Sequence, residues 1–310
     1  MSKTMRQVFG EALIRFAGEF PNMVVLDADV SSSTQTKLFQ AAHPDRFFNF
    51  GIAEGNMAAA AAGMASCGLT PVISTFAFLL SVRAMDAIYS LAAYNNLNVK
   101  ICGGYAGLSD FADGASHQAI CDIAIMRAVP HIRVLAPSDE ESTVEAVHEM
   151  LAASGPVYLR LSRDAVKSLH GGEAGVGLGK ANLLRDGRDV TIITTGTTLD
   201  AALQARDLLR AGGIDAAILE AISVKPLDEA AVLRMAEKTG RLVTLEEHTV
   251  NGGLGDAICA AVCAARPTRV CKIGLNDTFG QSARSYAQLM AAYGLDAAGV
   301  ARRVKAFLSE

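Results

Sequence analysis

Residues 48–64 read Phe48-Asn49-Phe50-Gly51-Ile52-Ala53-Glu54-Gly55-Asn56-Met57, then five alanines, Ala58 to Ala62, then Gly63 and Met64. One carboxylate thus lies between an apolar segment and a helix made almost wholly of small residues. Aromatic and aliphatic neighbours desolvate a carboxyl group and disfavour its charged form, while small side chains let another backbone or a flat ligand come close. The plainer reading of Glu54 is a first-turn acid facing the positive end of the helix dipole. The rest of the chain decides between the two.

Outward from this stretch, short β-branched runs at Met23–Leu26, Val72–Thr75, Val99–Cys102, Arg133–Leu135 and Val157–Leu161 alternate with longer runs at helical spacing. Such alternation predicts an α/β chain with a parallel sheet covered on both faces, whose active groups gather at the carboxyl ends of the strands. Those ends carry Asp27, Asp29, Thr75, Gly103 and Pro137. From about residue 164 the sequence turns Gly-rich and aperiodic, with Gly171-Gly172 and Gly175-Val176-Gly177, and reads as a linker. Beyond it, strands at Val190–Thr195, Asp215–Leu219, Leu242–Leu245 and Val270–Ile273 alternate with helices near Leu199–Ala211, Asp228–Lys238, Gly255–Ala264 and Ser285–Tyr293. The expected organisation is α/β throughout: a first domain over 1–165, a linker over 166–187 and a second, smaller domain over 188–310, each a mostly parallel sheet flanked by helices.

A chain of 310 residues with 51% hydrophobic content fills two cores. The net charge of −4 and the lack of a basic run give no footprint for nucleic acid. Substrates with one or two charges remain compatible, since they need placed cations rather than a basic surface. The start leads directly into the helical pattern Val8, Ala12, Leu13, Phe16, which predicts a cytoplasmic protein without a signal peptide. Met57–Met64 is too short to span a bilayer, so no membrane partner is expected. The six cysteines show no Cys-x-x-Cys spacing and read as reduced thiols; Cys259 and Cys263 lack suitably spaced His or acidic partners for a metal.

Several motifs stand in a specific order. Leu26-Asp27-Ala28-Asp29 and Arg46 to Glu54 come first, then Ser74-Thr75-Phe76, Asp113-Gly114-Ala115-Ser116-His117-Gln118, and Val134 to Asp139. Leu159-Arg160-Leu161-Ser162-Arg163, Thr244-Leu245-Glu246-Glu247-His248 and Gly252-Gly253-Leu254-Gly255 follow. In order and spacing the chain resembles the C-terminal half of transketolase, most closely the separate C-terminal subunit of split bacterial transketolases, over essentially its whole length.

The resemblance implies a thiamine-diphosphate enzyme in which Glu54 hydrogen-bonds the cofactor's aminopyrimidine and favours the imino tautomer that removes the C2 proton. It assigns Phe76 to the aromatic wall of that ring. The family's second aromatic, three residues on, is Leu79 here, with Phe78 one residue earlier, so Phe78 and Leu79 share that expectation. Asp113 and His117 match a loop near the substrate hydroxyls, where a carboxylate accepts hydrogen bonds and an imidazole shuttles a proton. Arg163 matches an arginine holding the substrate phosphate, assisted by Ser33. Tyr105 stands where the resembling subunits have histidine, which points to a different donor or acceptor sugar. His131, Arg127 and His148 read as structural, and Glu246-Glu247 as structural or interfacial.

The Gly-Asp-Gly and later Asn with which the family holds Mg²⁺ and the cofactor's phosphates have no counterpart. Gly255-Asp256-Ala257 lacks the last glycine, Asn276 follows too soon, and Gly175-x-Gly177-x-Gly179 has no strand leading into it. The resemblance therefore implies a partner subunit that binds diphosphate and Mg²⁺, an active site shared with it, self-association through the Glu54 helix and second domain, and sugar-phosphate substrates. The corresponding parts of deoxyxylulose-phosphate synthase and of the 2-oxoacid dehydrogenase E1 β subunit share the architecture, as does a regulatory homologue without turnover.

Overall fold

The structure is a computed structural model describing residues 3–310. Its first six strands are β1 (Met23–Asp27), β2 (Phe47–Asn49), β3 (Thr70–Phe76), β4 (Lys100–Gly104), β5 (Arg133–Leu135) and β6 (Val157–Arg160). The next six are β7 (Asn182–Arg185), β8 (Val190–Thr194), β9 (Ala216–Glu220), β10 (Ser223–Lys225), β11 (Arg241–Thr249) and β12 (Arg269–Leu275). One sheet runs β10-β5-β6-β4-β3-β1-β2 and the other β12-β11-β8-β9-β7. Every pair is parallel except β10 on β5 and β7 on β9, which close one edge of each sheet in antiparallel sense. β1, β4, β8 and β9 are buried at every position, as a parallel sheet covered by helices on both faces requires.

The helix Glu54–Ser66 packs its small side chains on β3 and on the Ile88–Ala93 turn. Met57, Ala58, Ala61 and Ala62 form its buried face, whereas Gly55 and Gly63 face open space. After β3 the chain winds into two π-helical turns, Leu79–Arg83 and Ile88–Ala93, a geometry concentrated at functional sites. The helix Glu140–Ala152 opens on a capping box in which Asp139 and Ser142 satisfy each other's backbone amides.

Two results differ from the sequence reading. The expected linker, 166–187, contains β7, whose half-buried alternation suits an edge strand but is too short to register as periodicity. More consequentially, β10 lies deep in the second half of the sequence yet completes the first sheet: Ser223 pairs with Leu135 and Lys225 with Val134. The two halves share one apolar cluster, in which Val24, Met57 and Val134 join Leu219, Val232 and Ile258. Polar contacts reinforce it, with Lys225 Nζ donating to the carbonyl of Arg127 at 3.0 Å and Arg127 donating to those of Gly252 and Gly253.

Candidate active site

Because β1, β3, β4 and β6 are parallel neighbours, the residues leaving their carboxyl ends meet at one edge. Tyr105, just past β4, is central. Its φ of +59° is a left-handed conformation that a non-glycine residue adopts at some cost. The ring lies 4.6 Å from Phe76 at the end of β3, and Phe76 in turn meets His117 edge-on at 6.1 Å. Two guanidinium groups flank Tyr105: Arg6 at 5.6 Å and Arg163 at 5.2 Å from the ring centroid. Arg6 Nη1 donates to the Tyr105 hydroxyl at 2.7 Å and to the Ser33 carbonyl at 3.1 Å, while its buried Nε has no partner.

Arg163 is 31% exposed and donates through Nη1 to Asp110 Oδ1 at 2.9 Å. Asp110 is fully buried and its other oxygen is unpartnered. Burial, reinforced by the adjacent Asp113 carboxylate, raises its affinity for a proton above the ordinary carboxylate range; Arg163 and His117 oppose that shift. Ser116 Oγ and His117 Nδ1 lie 3.0 Å apart, which occupies one ring nitrogen of His117 and leaves the other for chemistry. The edge therefore combines two cations able to hold a dianion, the exposed Asp113 carboxyl group able to accept hydroxyl hydrogen bonds, and an imidazole able to carry a proton.

Glu54 forms a second group. It is the first residue of its helix, only 1% exposed, and Arg83 Nη1 lies 3.3 Å from both carboxyl oxygens. Sequence reading placed apolar side chains around Glu54; the structure adds a guanidinium, 56% exposed, at the end of the Leu79–Arg83 turn. Leu79 opens that turn. Phe78, half-buried, packs on Ala77, Ala106 and Ala119 beneath the Tyr105 loop. The end of β3 thus links the two groups, Phe76 belonging with Tyr105 and Leu79 leading to Arg83.

The transketolase pyrimidine-binding domain family matches residues 1–168, and the transketolase C-terminal domain family matches 179–300. The chain belongs to the transketolase family. It is 41% identical over 305 residues to a Methanocaldococcus jannaschii chain named, provisionally, as a transketolase C-terminal section, covering 97% of this chain and 95% of that one. It is 38% identical to the 6-deoxy-6-sulfo-D-fructose transketolase subunit of a Clostridium species, over 89% of this chain and 86% of the other. Among solved structures, one titled split gene transketolase, inactive beta4 tetramer, superposes with a TM-score of 0.91 at 38% identity, covering 100% and 99% of the two chains.

Within this transketolase-family chain, Phe76, Tyr105, His117 and Arg163 meet at one edge, with Asp113 beside Asp110; Ser33, expected to assist Arg163, offers its backbone carbonyl to Arg6 instead, and Glu54 and Leu79 lie toward Arg83. Sequence reasoning missed Arg6, Asp110 and Arg83. Arg6 had no local signal, because its contact with Tyr105 spans 99 residues. Asp110 was more accessible: it precedes Asp113 by three residues, a spacing that brings like charges together in a tight loop. The residues read as structural are occupied elsewhere, with His131 Nδ1 2.9 Å from the Ala93 carbonyl and His148 beside Glu19. Glu246 accepts from the amides of Leu254 and Gly255. Asp256 is engaged by Lys272 and by the amide of Gly252. Among the described residues, no three His, Cys, Asp or Glu side chains cluster to hold a metal, and no helix is long and apolar enough to cross a membrane.

Proposed function

We propose that this chain is the pyrimidine-side subunit of a two-chain transketolase that moves a two-carbon ketol unit between sugar phosphates. The observation that carries the proposal is the pair of guanidinium groups, Arg6 and Arg163, flanking Tyr105 beside the Asp113–His117 loop. A phosphate end held by two cations and hydroxyls met by carboxyl groups are what a sugar phosphate needs.

The donor set fits one end of thiamine diphosphate. Glu54 offers a buried carboxyl group for a ring nitrogen, Leu79 an apolar side chain on the turn leading to Arg83, and Phe76, between the two groups, a ring for the side facing Tyr105. When bound, the cofactor supplies the nucleophilic carbon and the electron sink for cleaving a carbon–carbon bond beside a carbonyl. Glu54 holds or releases a proton at its carboxyl oxygen, with Arg83, mostly exposed, free to swing away from it. Arg6 and Arg163 fix the phosphate end, so that the reacting carbon is placed by binding at the far end of the substrate. Asp113 accepts from substrate hydroxyls, and the free nitrogen of His117 takes and returns a hydroxyl proton.

Diphosphate and Mg²⁺ are assigned to a partner subunit. Support for a shared assembly comes from the apolar side chains around the Glu54 helix: Ile52, Val82, Tyr89 and Tyr94 are all exposed, Tyr94 to 79%. The related split-gene chain, described as an inactive beta4 tetramer, supports self-association of this one. Reconstitution with the diphosphate-binding subunit, Mg²⁺, cofactor and a panel of ketose donors is the test. Two-carbon transfer between sugars is expected; CO₂ release from pyruvate, or no turnover with any donor, would overturn the proposal.

A further inference from the structure

The second domain contributes none of the groups around Tyr105, yet it grips at both ends the loop that carries Tyr105, Asp110, Asp113 and His117. Glu247, on β11, is 2% exposed. Its Oε1 accepts from the Leu108 amide at 2.5 Å, and its Oε2 accepts from the hydroxyls of Tyr286 at 2.7 Å and Thr197 at 2.9 Å. Gly107, at φ +64°, lies against this carboxyl group so closely that a Cβ there would collide with it. Leu108 stands midway between Tyr105 and Asp110, so the carboxylate of one domain fixes the substrate loop of the other.

At the far end of the loop the segment after β12 takes over. Gln118, buried, donates from Nε2 to the carbonyls of Asp110 at 3.3 Å and Gln281 at 3.0 Å. The Ala283 amide donates to the Phe111 carbonyl at 2.8 Å. Gly280 leaves room for the Gln118 side chain, which a Cβ would strike.

We propose that Glu247 is a positioning residue for the sugar-phosphate site, acting through Leu108 to set Tyr105 on one side and the Asp110–Arg163 pair on the other. The proposal rests on the transketolase reading for its substrate, but its geometry concerns the loop alone. Glu247 touches no reacting atom. Its surroundings favour clean variants: Arg160 keeps Asp122 at 2.8 Å, and the Thr197 and Tyr286 hydroxyls, 3.0 Å apart, satisfy each other. Glu247→Leu therefore orphans chiefly the Leu108 amide. Glu247→Gln can turn its NH₂ to the two hydroxyls, which accept, and keep its oxygen on Leu108.

Two measurements test this. In the reconstituted complex, Glu247→Leu is expected to raise KM for a phosphorylated acceptor about tenfold or more, with kcat within about threefold and Glu247→Gln near wild type. In the isolated chain, amide hydrogen exchange over 105–118 is expected to quicken in Glu247→Leu, while β8, β11 and β12 keep their protection. Unchanged exchange at 105–118 would overturn the proposal whatever the enzyme's substrate. So would a uniform loss of protection across the second domain, or an equal loss in both kinetic constants with phosphorylated and unphosphorylated substrates. Turnover with no ketose at all in the wild type would overturn the function and leave the exchange result to decide this inference.

Discussion

Arg6 and Arg163 flank the same tyrosine, but their partners differ, and so should the consequences of removing them. Arg6 bonds only neutral groups, so Arg6→Ala should cost little stability while weakening phosphorylated substrates by about 1.5–3 kcal/mol relative to unphosphorylated analogues. Arg163→Ala should show the same preference and also lower the melting temperature, because it strands the buried Asp110 carboxyl group. Adding Asp110→Asn should recover much of that stability and none of the binding. Thermal denaturation alongside specificity constants reports both. Glu54→Gln should abolish or severely reduce turnover with the fold intact, and proton exchange at cofactor C2 in the complex is the direct measure; near wild-type exchange would remove Glu54 from the proposed role. At this scale the sequence singles out residues that sit inside a motif, as with Glu54, Asp113, His117 and Arg163, whose roles the substitutions above test. It was silent on Arg6 and Arg83, because a guanidinium reaching its partner across the fold leaves no trace in its neighbours along the chain.

Strands and helices were read well in most places where apolar periodicity ran for several residues; the three-residue strands β2 and β10, the edge strand β7 and the last helix, Ala297–Ser309, were not. The segment called a linker illustrates why. It contains few apolar residues, yet His170 within it is pinned between Asp139 Oδ2 at 2.7 Å and Glu220 Oε2 at 2.9 Å, one carboxylate from each domain. Burial alone would depress the imidazole, but the two carboxylates overcome that and hold it up at about 10. A raised histidine contributes stability that is fully present below its ordinary value near 6.5 and is lost as pH rises through about 10. The stability gap between wild type and His170→Gln should therefore be widest near pH 6 and shrink steadily toward pH 10, as denaturant titrations at stepped pH would show; a gap independent of pH would refute the clamp. Lys100 has the opposite sign. Burial, with Arg133 nearby, pulls its ammonium group down to about 7, so its contribution rises with pH between about 7 and 10.5 and masks the histidine in the wild type.

The molecule as a whole is expected to be an incomplete enzyme. Alone it should show no transketolase activity and little Mg²⁺-dependent affinity for thiamine diphosphate, and calorimetry that found tight, metal-dependent binding without a partner would defeat the split-subunit reading. Sedimentation should show self-association, weakened by Tyr94→Glu on the exposed apolar face. The placement of β10 bears on how such a chain changes over generations. A crossover anywhere between β6 and β7 gives the first sheet a closing strand from the other parent, and a crossover beyond β10 divides the second sheet between parents. No single junction assigns each sheet to one lineage. Chimeras of diverged relatives joined at the apparent domain boundary should accordingly melt below either parent unless Ser223–Lys225 is exchanged along with the first sheet, which makes that short strand, rather than the boundary, the unit that recombination has to respect.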